Sequence, residues 1–584
     1  MFTRTQLMIA IVLGVLAVPL AVFAQDFQNI GASSGLGNTE LPVIIGNIIR
    51  VVLGLLGVIL LGLTIYAGIL WMTAGGDEAK VEKAKQTMIR AVIGFAITLM
   101  AYAFVTFLMN AFGVGGLFGG DRTTSLPQIP ALSNSLGNGG LVDHYPGRDQ
   151  VDVPRNTRVI VTFKGVVSPE MLIEGFDDGG TPSDTSDDIV PPGSPLKTDL
   201  VSIYRTDEGV GRAFAGSNVQ VGYSIIDTST IQTSTFVFVV PLLDGEVNYS
   251  VKLDDGIRDV DGKQLIDNKG YMWSFTTSNE LDVTPPQVQR VVPVPDQTYG
   301  RNVAIQVTFN EPMDPSSVSG LYLPSEGGNF DNIRVTVANG QNPIEGVYMI
   351  SNGYRTVSYL TNDLCGTNSC GQSIYCLPSN SDIEALIISP EPLNVNQSPQ
   401  VPPTPYPPLG VTDVVGNALD GSGNGTIEVG QDDYLLPFKT NNQIILKGPV
   451  LEGVQPDILG EEVALDAPVD LLFDDILLSA SLIPGQSILF QPSPVHELWF
   501  VTRVQSSEDD KDTVHIPHGV LAESTDEQTY NYNVLALEGV RDLYQNCFVP
   551  ATGPGRSSST CTPTASQPYC CNGELSTTAC ITRP

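Results

Sequence analysis

A glycine-rich loop carries oxygen side chains at a spacing that suits calcium. The oxygen-bearing residues of this loop are Asp420, Ser422, Asn424, Thr426, Glu428 and Asp432. Gly425 stands where calcium loops turn sharply. Position twelve of the loop is Gln431 rather than the usual bidentate glutamate, so a solvated turn between strands is the favoured interpretation. Calcium bound by these six residues is the alternative, and calcium is the one cofactor that the sequence suggests.

Other chemistry-bearing residues favour structural roles. His515 and His518 could suggest zinc, but Pro517 prevents the regular helix that would bring the pair onto one face. The carboxylates Asp254, Asp255, Asp259 and Asp261 are typical of a solvated turn in so acidic a chain. No Ser-His-Asp set, phosphate loop or nucleophile elbow is present. We therefore expect that the protein is not an enzyme, with a surface hydrolase as the disfavoured alternative.

Eight cysteines lie in two clusters, and all of them follow residue 360. They are Cys365, Cys370, Cys376, Cys547, Cys561, Cys570, Cys571 and Cys580. Their number and location favour structural disulfides in an oxidising compartment. Because both clusters contain an odd number, complete pairing within one chain requires at least one bridge between them. The sequence leaves the connectivity open.

The charge distribution divides the chain into two parts. The 584 residues include 63 acidic and 29 basic side chains, a net charge of -34. A nucleic-acid partner needs a basic surface, so that class is excluded. Residues 1–112 are nearly neutral, with six basic and five acidic residues, and the later part carries the negative charge. The first part therefore suits a lipid bilayer as its partner, and the second suits water.

The neutral part predicts an export signal and a membrane hairpin. Residues 1–24 are typical of a signal peptide, with an uncleaved first spanning helix as the alternative. Two apolar stretches of membrane-spanning length, about 51–72 and 91–112, predict two transmembrane helices within 25–112. The connection 73–90 holds the positive charges that set topology, Lys80, Lys83, Lys85 and Arg90. By the positive-inside rule this loop is cytoplasmic, so the remainder is exported.

This region resembles a known family. An apolar helix ending in Ile69-Leu-Trp-Met-Thr-Ala-Gly-Gly76, a lysine-rich loop and a second apolar helix look like the pilin-type subunits of conjugative type IV secretion systems. The resemblance covers about residues 25–115. It implies placement in the membrane, and it leaves open whether the hairpin also packs into a homo-oligomer. Such pilins normally end after the second helix, whereas here a long extension follows.

The exported part repeats itself three times after a flexible linker at 113–140. Alternating strands are predicted at 158–163, 303–309 and 469–473, and the markers 256–260, 410–414 and 539–543 follow them. Proline-rich seams such as Thr284-Pro-Pro286 separate the units. We predict three all-β sandwiches at 141–282, 283–446 and 447–546, with a cysteine-rich tail at 547–584.

The repeated markers also carry a resemblance. The segments Phe309-Asn-Glu-Pro-Met-Asp-Pro-Ser-Ser317, Trp273-Ser-Phe-Thr-Thr277 and Asp282-Val-Thr-Pro-Pro286 resemble bacterial Ig-like domains of surface-layer and other cell-surface proteins. The third unit lacks the Pro-Met-Asp turn and so departs most from this pattern. The resemblance implies a structural or adhesive role without catalysis.

These observations predict a fold class and a function. The fold class is multidomain, with a two-helix transmembrane hairpin, three Ig-like sandwiches arranged as a stalk, and a disulfide-rich tail. The leading function is a membrane-anchored structural or adhesive protein of the cell surface or periplasm, with an unknown surface protein or glycan as its ligand. The alternative is a pilin-like subunit of a secretion or conjugation apparatus with an exported extension.

Overall fold

The computed structural model describes most of the chain after residue 138. The described residues are 73, 81–82, 85–86, 136, 139–177, 188–228, 231–324, 328–338, 343–390, 409–428, 430–457, 460–507, 509–551, 561–571, 573–578 and 580. The chain divides into two compact units, residues 1–128 and residues 129–584. We call the second unit the β head. The predicted signal peptide, both apolar stretches, Lys80, Lys83 and Arg90 lie outside the described residues.

The predicted fold class is wrong as a whole. The described part of the chain is nearly all β, with helical structure confined to α1 (Pro315–Val318), four 3-10 turns, Pro324 and residues 81–82 and 85–86. Among these residues no helix has the length and apolar character needed to cross a bilayer. For the described residues, the predicted two-helix transmembrane hairpin is therefore replaced by a nearly all-β architecture. Lys85 is exposed and helical.

The first sandwich forms from two four-stranded sheets whose inward residues are apolar. Its strands are β1 (Leu141–Tyr145), β2 (Gln150–Val153), β3 (Val159–Phe163), β4 (Val201–Arg205), β5 (Gln220–Asp227), β6 (Gln232–Val239), β7 (Asn248–Leu253) and β8 (Tyr271–Thr277). The strand orders are β1-β3-β6-β5 and β2-β8-β7-β4. Phe163 and Phe236 from one sheet meet Trp273 and Phe275 from the other in a single buried core. The 3-10 turns Pro169–Met171, Val210–Arg212 and Gly216–Asn218 lie in its loops.

The second sandwich is the largest. Its strands are β9 (Val288–Val292), β10 (Thr298–Tyr299), β11 (Ile305–Phe309), β12 (Gly320–Leu323), β13 (Gly328–Asn329), β14 (Ile333–Val337), β15 (Gly346–Ser351), β16 (Thr356–Thr361), β17 (Leu364–Thr367), β18 (Ser373–Tyr375), β19 (Asp382–Ile387) and β20 (Tyr434–Thr440). A six-stranded sheet, β13-β12-β15-β16-β11-β9, faces a four-stranded sheet, β10-β20-β19-β14. The hairpin β17-β18 stands apart from both sheets.

The third sandwich is smaller and leads into the tail. Its strands are β21 (Leu451–Gln455), β22 (Asp470–Phe473), β23 (Ile488–Ser493), β24 (Arg503–Ser506), β25 (Asp512–His515) and β26 (Asn531–Ala536), and the tail forms β27 (Tyr569–Cys571) and β28 (Glu574–Ser576). The order β21-β22-β25-β24 forms one sheet, and β23-β26 forms the other. A 3-10 turn, Ser479–Ser481, follows β22.

The first two cores contain residues from beyond their predicted domain limits. Val501 packs into the first core, and Ile476, Leu478 and Leu543 pack into the second. A small fourth cluster joins the first two sandwiches through Ile160, Val237, Val239, Tyr354 and Val414. The limits at 282 and 446 stay predictions. The interpretation of a serial stalk is replaced by a compact head in which the sandwiches pack against one another.

A repeated aspartate turn in the second and third sandwiches forms hydrogen bonds with the segment that precedes each sandwich. Asp413 accepts the backbone N–H and the side-chain amide of Asn417, both at 2.8 Å, and that amide also donates to the carbonyl of Thr284 in the first seam. Asp542 and Asn546 repeat the arrangement, and Asn546 Nδ2 donates to the carbonyls of Ile445 and Lys447. The repeated sequence marker therefore has a physical role, because it holds each seam.

Candidate functional site

The predicted calcium loop is organised around one carboxylate. Asp420 is buried, and its two oxygens accept hydrogen bonds from the backbone N–H groups of Gly423 and Gly425, each at 2.7 Å. The side chains of Ser422 and Gln287 donate to the same carboxylate at 3.0 and 2.8 Å. Although burial opposes it, these hydrogen bonds hold the pKa of Asp420 below its usual range.

The remaining residues of the loop have partners of their own. Asn424 Oδ1 accepts from the Thr426 backbone at 2.8 Å, and Asp432, which is buried, accepts from the Glu428 backbone. The loop therefore surrounds the Asp420 carboxylate with hydrogen-bond donors. Calcium at the six predicted residues stays a prediction.

Three carboxylates gather elsewhere, at the seam between the first and second sandwiches. Oxygens of Asp282, Glu311 and Asp413 all lie within 4.8 Å of one another, the one such acidic group among the described residues. Burial, followed by the nearby charges of Asp413 and Asp282, raises the pKa of Glu311 to about 8. Burial raises the pKa of Asp413 to about 7, and the hydrogen bonds from Asn417 oppose this rise. Oxygen ligands of this kind suit a hard divalent cation such as calcium.

The raised pKa of Glu311 predicts a pH dependence of stability. A carboxyl group whose pKa is raised on folding binds its proton more tightly in the folded state, so stability falls as the pH rises from about 4.5 to about 8. We expect the melting temperature of Glu311→Gln to fall less than that of the wild type between pH 5 and pH 8, measured with EDTA present. Glu384→Gln, a half-buried carboxyl on β19, is the matched control. An unchanged slope in Glu311→Gln would contradict the prediction.

The histidines are engaged in separate structural contacts. His515 Nδ1 lies 2.6 Å from Asp470 Oδ1, whereas His518 contacts the carbonyls of Ala467 and Gly519. His144 is buried, stacks on Trp273 at a centroid distance of 4.1 Å, and has its pKa lowered to about 3 by burial. His515 and His518 therefore contact different partners.

All eight cysteines are paired. The bridges are Cys365–Cys376, Cys370–Cys547, Cys561–Cys570 and Cys571–Cys580. Cys370–Cys547 joins the two sequence clusters and ties the hairpin β17-β18 to the end of the third sandwich. The disulfide bonding predicted from the sequence is thus present, and the structure supplies the connectivity that counting left open.

Sequence reasoning missed a cleft at the junction of the three sandwiches. Its volume is about 980 Å³, and residues of all three sandwiches line it, among them His144, Arg290, Arg355 and Arg503. Clefts between domains are common binding sites. The Asn352-Gly353 pair predicts a tight turn from sequence alone, but nothing in the sequence indicates what that turn contacts.

The turn between β15 and β16 reaches into this junction. Asn352, Gly353 and Tyr354 all have left-handed backbone conformations, with φ values of 54°, 64° and 65°. Tyr354 is buried against the first sandwich, and its hydroxyl lies 3.0 Å from Thr162 Oγ1. Gly353 faces the third sandwich, where an added Cβ would lie 2.9 Å from Arg503 Nε. A bulky residue in the left-handed region is strained, so packing on both sides holds the turn in place.

Comparison with known proteins identifies a relationship for the N-terminal part. A family model described as type IV secretion system pilin matches residues 37–108, which confirms the resemblance found in the sequence there. No curated protein matches the chain.

Three solved structures match at low identity. The N-terminal part of the bacterial S-layer protein SbsC is 12% identical with a TM-score of 0.15, and the match covers 41% of this chain and 44% of that one. A marsupial T cell receptor is 9% identical with a TM-score of 0.13, covering 66% and 94%. The N-terminal eight Ig domains of Down Syndrome Cell Adhesion Molecule are 9% identical with a TM-score of 0.12, covering 70% and 37%. The chain therefore spans less than half the length of the S-layer chain that it matches.

Proposed function

We propose that this protein is a structural component of the bacterial cell envelope, in which a pilin-like segment carries an exported β head. The match of residues 37–108 to type IV secretion pilins is the observation that carries this proposal. The head is built for a fixed shape, since the first two cores include residues of the third sandwich and its eight cysteines form four bridges. Disulfides are typical of exported proteins. The role is architectural, with the pilin-like segment serving assembly and the head displayed outward.

The ion pairs between the sandwiches favour a specialised subunit with a rigid head over a flexible surface protein. A buried ion pair between Arg158 and Asp314 links the first two sandwiches, and Arg503 pairs with Asp143 to link the third to the first. These ion pairs hold the three sandwiches in fixed relative orientations. A head that is displayed on an assembly needs such a fixed arrangement. Self-association through the pilin-like segment belongs to the same proposal, and no catalytic step does.

Immunogold labelling of intact and mechanically sheared cells tests the proposal. With an antibody raised against residues 141–280, we expect label on the exterior of intact cells and release of the protein with filaments or other assemblies on shearing. A version without residues 37–108 should not enter those assemblies. Label confined to the cell interior would overturn the proposal, as would assembly without the pilin-like segment.

The oxidation state of the cysteines gives an independent prediction. When cells are lysed in a maleimide of 5 kDa without reductant, we expect no mass shift, because all eight thiols are paired. After reduction, the same reagent should add eight equivalents. Rapid modification of the unreduced protein would show that the chain resides in a reducing compartment.

A further inference from the structure

The junction cleft lies along two sheet edges that belong to different sandwiches. β9 is the edge strand of the six-stranded sheet, and β24 is the edge strand of the four-stranded sheet of the third sandwich. Gln289, Arg290 and Val292 of β9 line the cleft, together with every residue of β24. An edge strand presents main-chain N–H and C=O groups that can pair with an additional extended chain.

One position on the β24 edge is already filled by a peptide-like group. The side-chain amide of Asn352 accepts from Val504 N–H at 2.8 Å and donates to the Val504 carbonyl at 3.3 Å. These are the two bonds that a neighbouring strand would make. Alternate residues of a strand present their main-chain groups to the same side, so Ser506 N–H and C=O project to the side on which Asn352 binds. β24 pairs with β25 on its opposite side.

Guanidinium groups dominate the charge of the cleft. Arg290, Arg355 and Arg503 line it, and Asp512 is the acidic residue among its described lining residues. This is unusual in a chain with 63 acidic and 29 basic residues. Arg503 is held by Asp143 at 2.7 and 3.1 Å, and Arg290 Nη1 lies 3.6 Å from Asp512 Oδ1.

Arg355 is the guanidinium best placed to meet a ligand. It is exposed, and its Nη1 donates to the Asn310 carbonyl, which fixes the side chain. A guanidinium has five N–H donors and binds a carboxylate with two parallel hydrogen bonds. Partial desolvation of the guanidinium lowers the pKa of Arg355; the nearby Tyr145 and Glu311 oppose this shift, and the charge of Arg503 adds to it. A carboxylate placed near Arg355 would relieve the repulsion between these like charges.

We propose that the cleft binds an extended peptide segment with carboxylate side chains, supplied by a partner protein. The segment pairs with the β24 edge at Ser506 and directs a carboxylate to Arg355. The edge groups explain why the occupant is a peptide, and Arg355, which donates to a backbone carbonyl rather than to a carboxylate, explains why it is acidic. The inference concerns the head alone and does not depend on the pilin-like segment.

The first test measures binding of a defined probe to the full-length protein. The probe is a fluorescein-labelled octapeptide of alternating Glu and Val, followed by fluorescence anisotropy in 150 mM NaCl. We expect saturable binding that weakens as salt increases, and no binding of the corresponding Lys-Val peptide. Arg355→Gln should weaken binding about tenfold, since it removes a charge-assisted contact. Arg334→Gln, which lies in an exposed pair with Asp331, should bind as the wild type does.

The second test addresses the main-chain contact. Ser506→Pro removes the outward N–H without removing a bond of the β24-β25 ladder, and we expect binding to weaken about fivefold. Ser506→Ala is the matched control and should bind normally. Circular dichroism and the melting temperature verify that each variant is folded.

Three outcomes would overturn the proposal. One is the absence of saturable binding up to millimolar peptide. Another is equal affinity of Arg355→Gln and the wild type. The third is tight binding of polygalacturonate that is insensitive to Ser506→Pro, which would assign the cleft to an acidic polysaccharide instead of a peptide.

Discussion

Replacing Arg158 with methionine should lower the free energy of unfolding by about 3–5 kcal/mol, the usual cost of leaving a buried charge without its partner. The Arg158 side chain is 5% exposed and that of Asp314 is fully buried. Asp314 also caps α1 by accepting from the Ser316 backbone at 2.9 Å, so its carboxylate cannot move away. The variant therefore leaves the Asp314 carboxylate buried between two sandwiches without the charge of Arg158 beside it. Urea unfolding monitored by tryptophan fluorescence measures the effect.

A double variant and a surface control distinguish the effect of the lost charge on stability from the effect of lost packing. Arg158→Met combined with Asp314→Asn removes both charges and keeps a side chain that can cap α1, so it should regain a large part of the lost stability. Arg334→Met breaks an exposed pair whose side chains are 42% and 49% accessible, and it should cost at most about 1 kcal/mol. If Arg158→Met unfolds at the wild-type urea concentration, the pair does not hold the sandwiches together.

Removing the Cys370–Cys547 bridge with serine at both positions should cost about 2–5 kcal/mol. The bridge spans 177 residues, so it removes many conformations from the unfolded chain. The same region is joined by Gln545, whose Nε2 donates to the Tyr375 carbonyl at 2.7 Å and whose Oε1 accepts from Tyr375 N–H at 2.9 Å. We expect the hairpin β17-β18 to become susceptible to protease well before the cores unfold.

The tail provides the matched control for this bridge. Cys571–Cys580 spans nine residues, and neither cysteine belongs to the three described cores. Its removal should change protease sensitivity in the tail and leave the main unfolding transition in place. Equal losses of stability from both double variants would show that the long-range bridge has no special role.

Several elements could be predicted from the sequence because their signals are local. The alternation at 158–163 predicts a strand, and the structure has β3 at Val159–Phe163. The predicted strands at 303–309 and 469–473 correspond to β11 at Ile305–Phe309 and β22 at Asp470–Phe473. The pilin-type resemblance is confirmed for residues 37–108. Period-two alternation and short motifs depend on neighbouring residues alone, and for this reason they can be detected without knowledge of the fold.

The candidate sites show where local signals were insufficient. The calcium-like spacing of 420–432 identifies a loop, and calcium there stays a prediction, but the backbone N–H groups that bind Asp420 could not be predicted from the spacing. The acidic group of Asp282, Glu311 and Asp413 could not be predicted from the sequence. Asp282 precedes the first seam, Glu311 follows β11 and Asp413 lies in a repeated marker, so the three carboxylates meet only after folding. The transmembrane fold class was inferred from apolar length, and the described part of the chain contains no such helix.

The sequence by itself determined the β character of the part that follows residue 140, the pilin-like segment, the repeated markers and the need for a bridge between the cysteine clusters. These properties follow from composition, periodicity and parity. Tertiary structure alone decided that Cys370 pairs with Cys547, that the sandwiches pack as one head, and that Arg290, Arg355 and Arg503 line one cleft. Such contacts join residues far apart in the chain, and their free energy depends on packing and desolvation, which exist only once the sheets have come together.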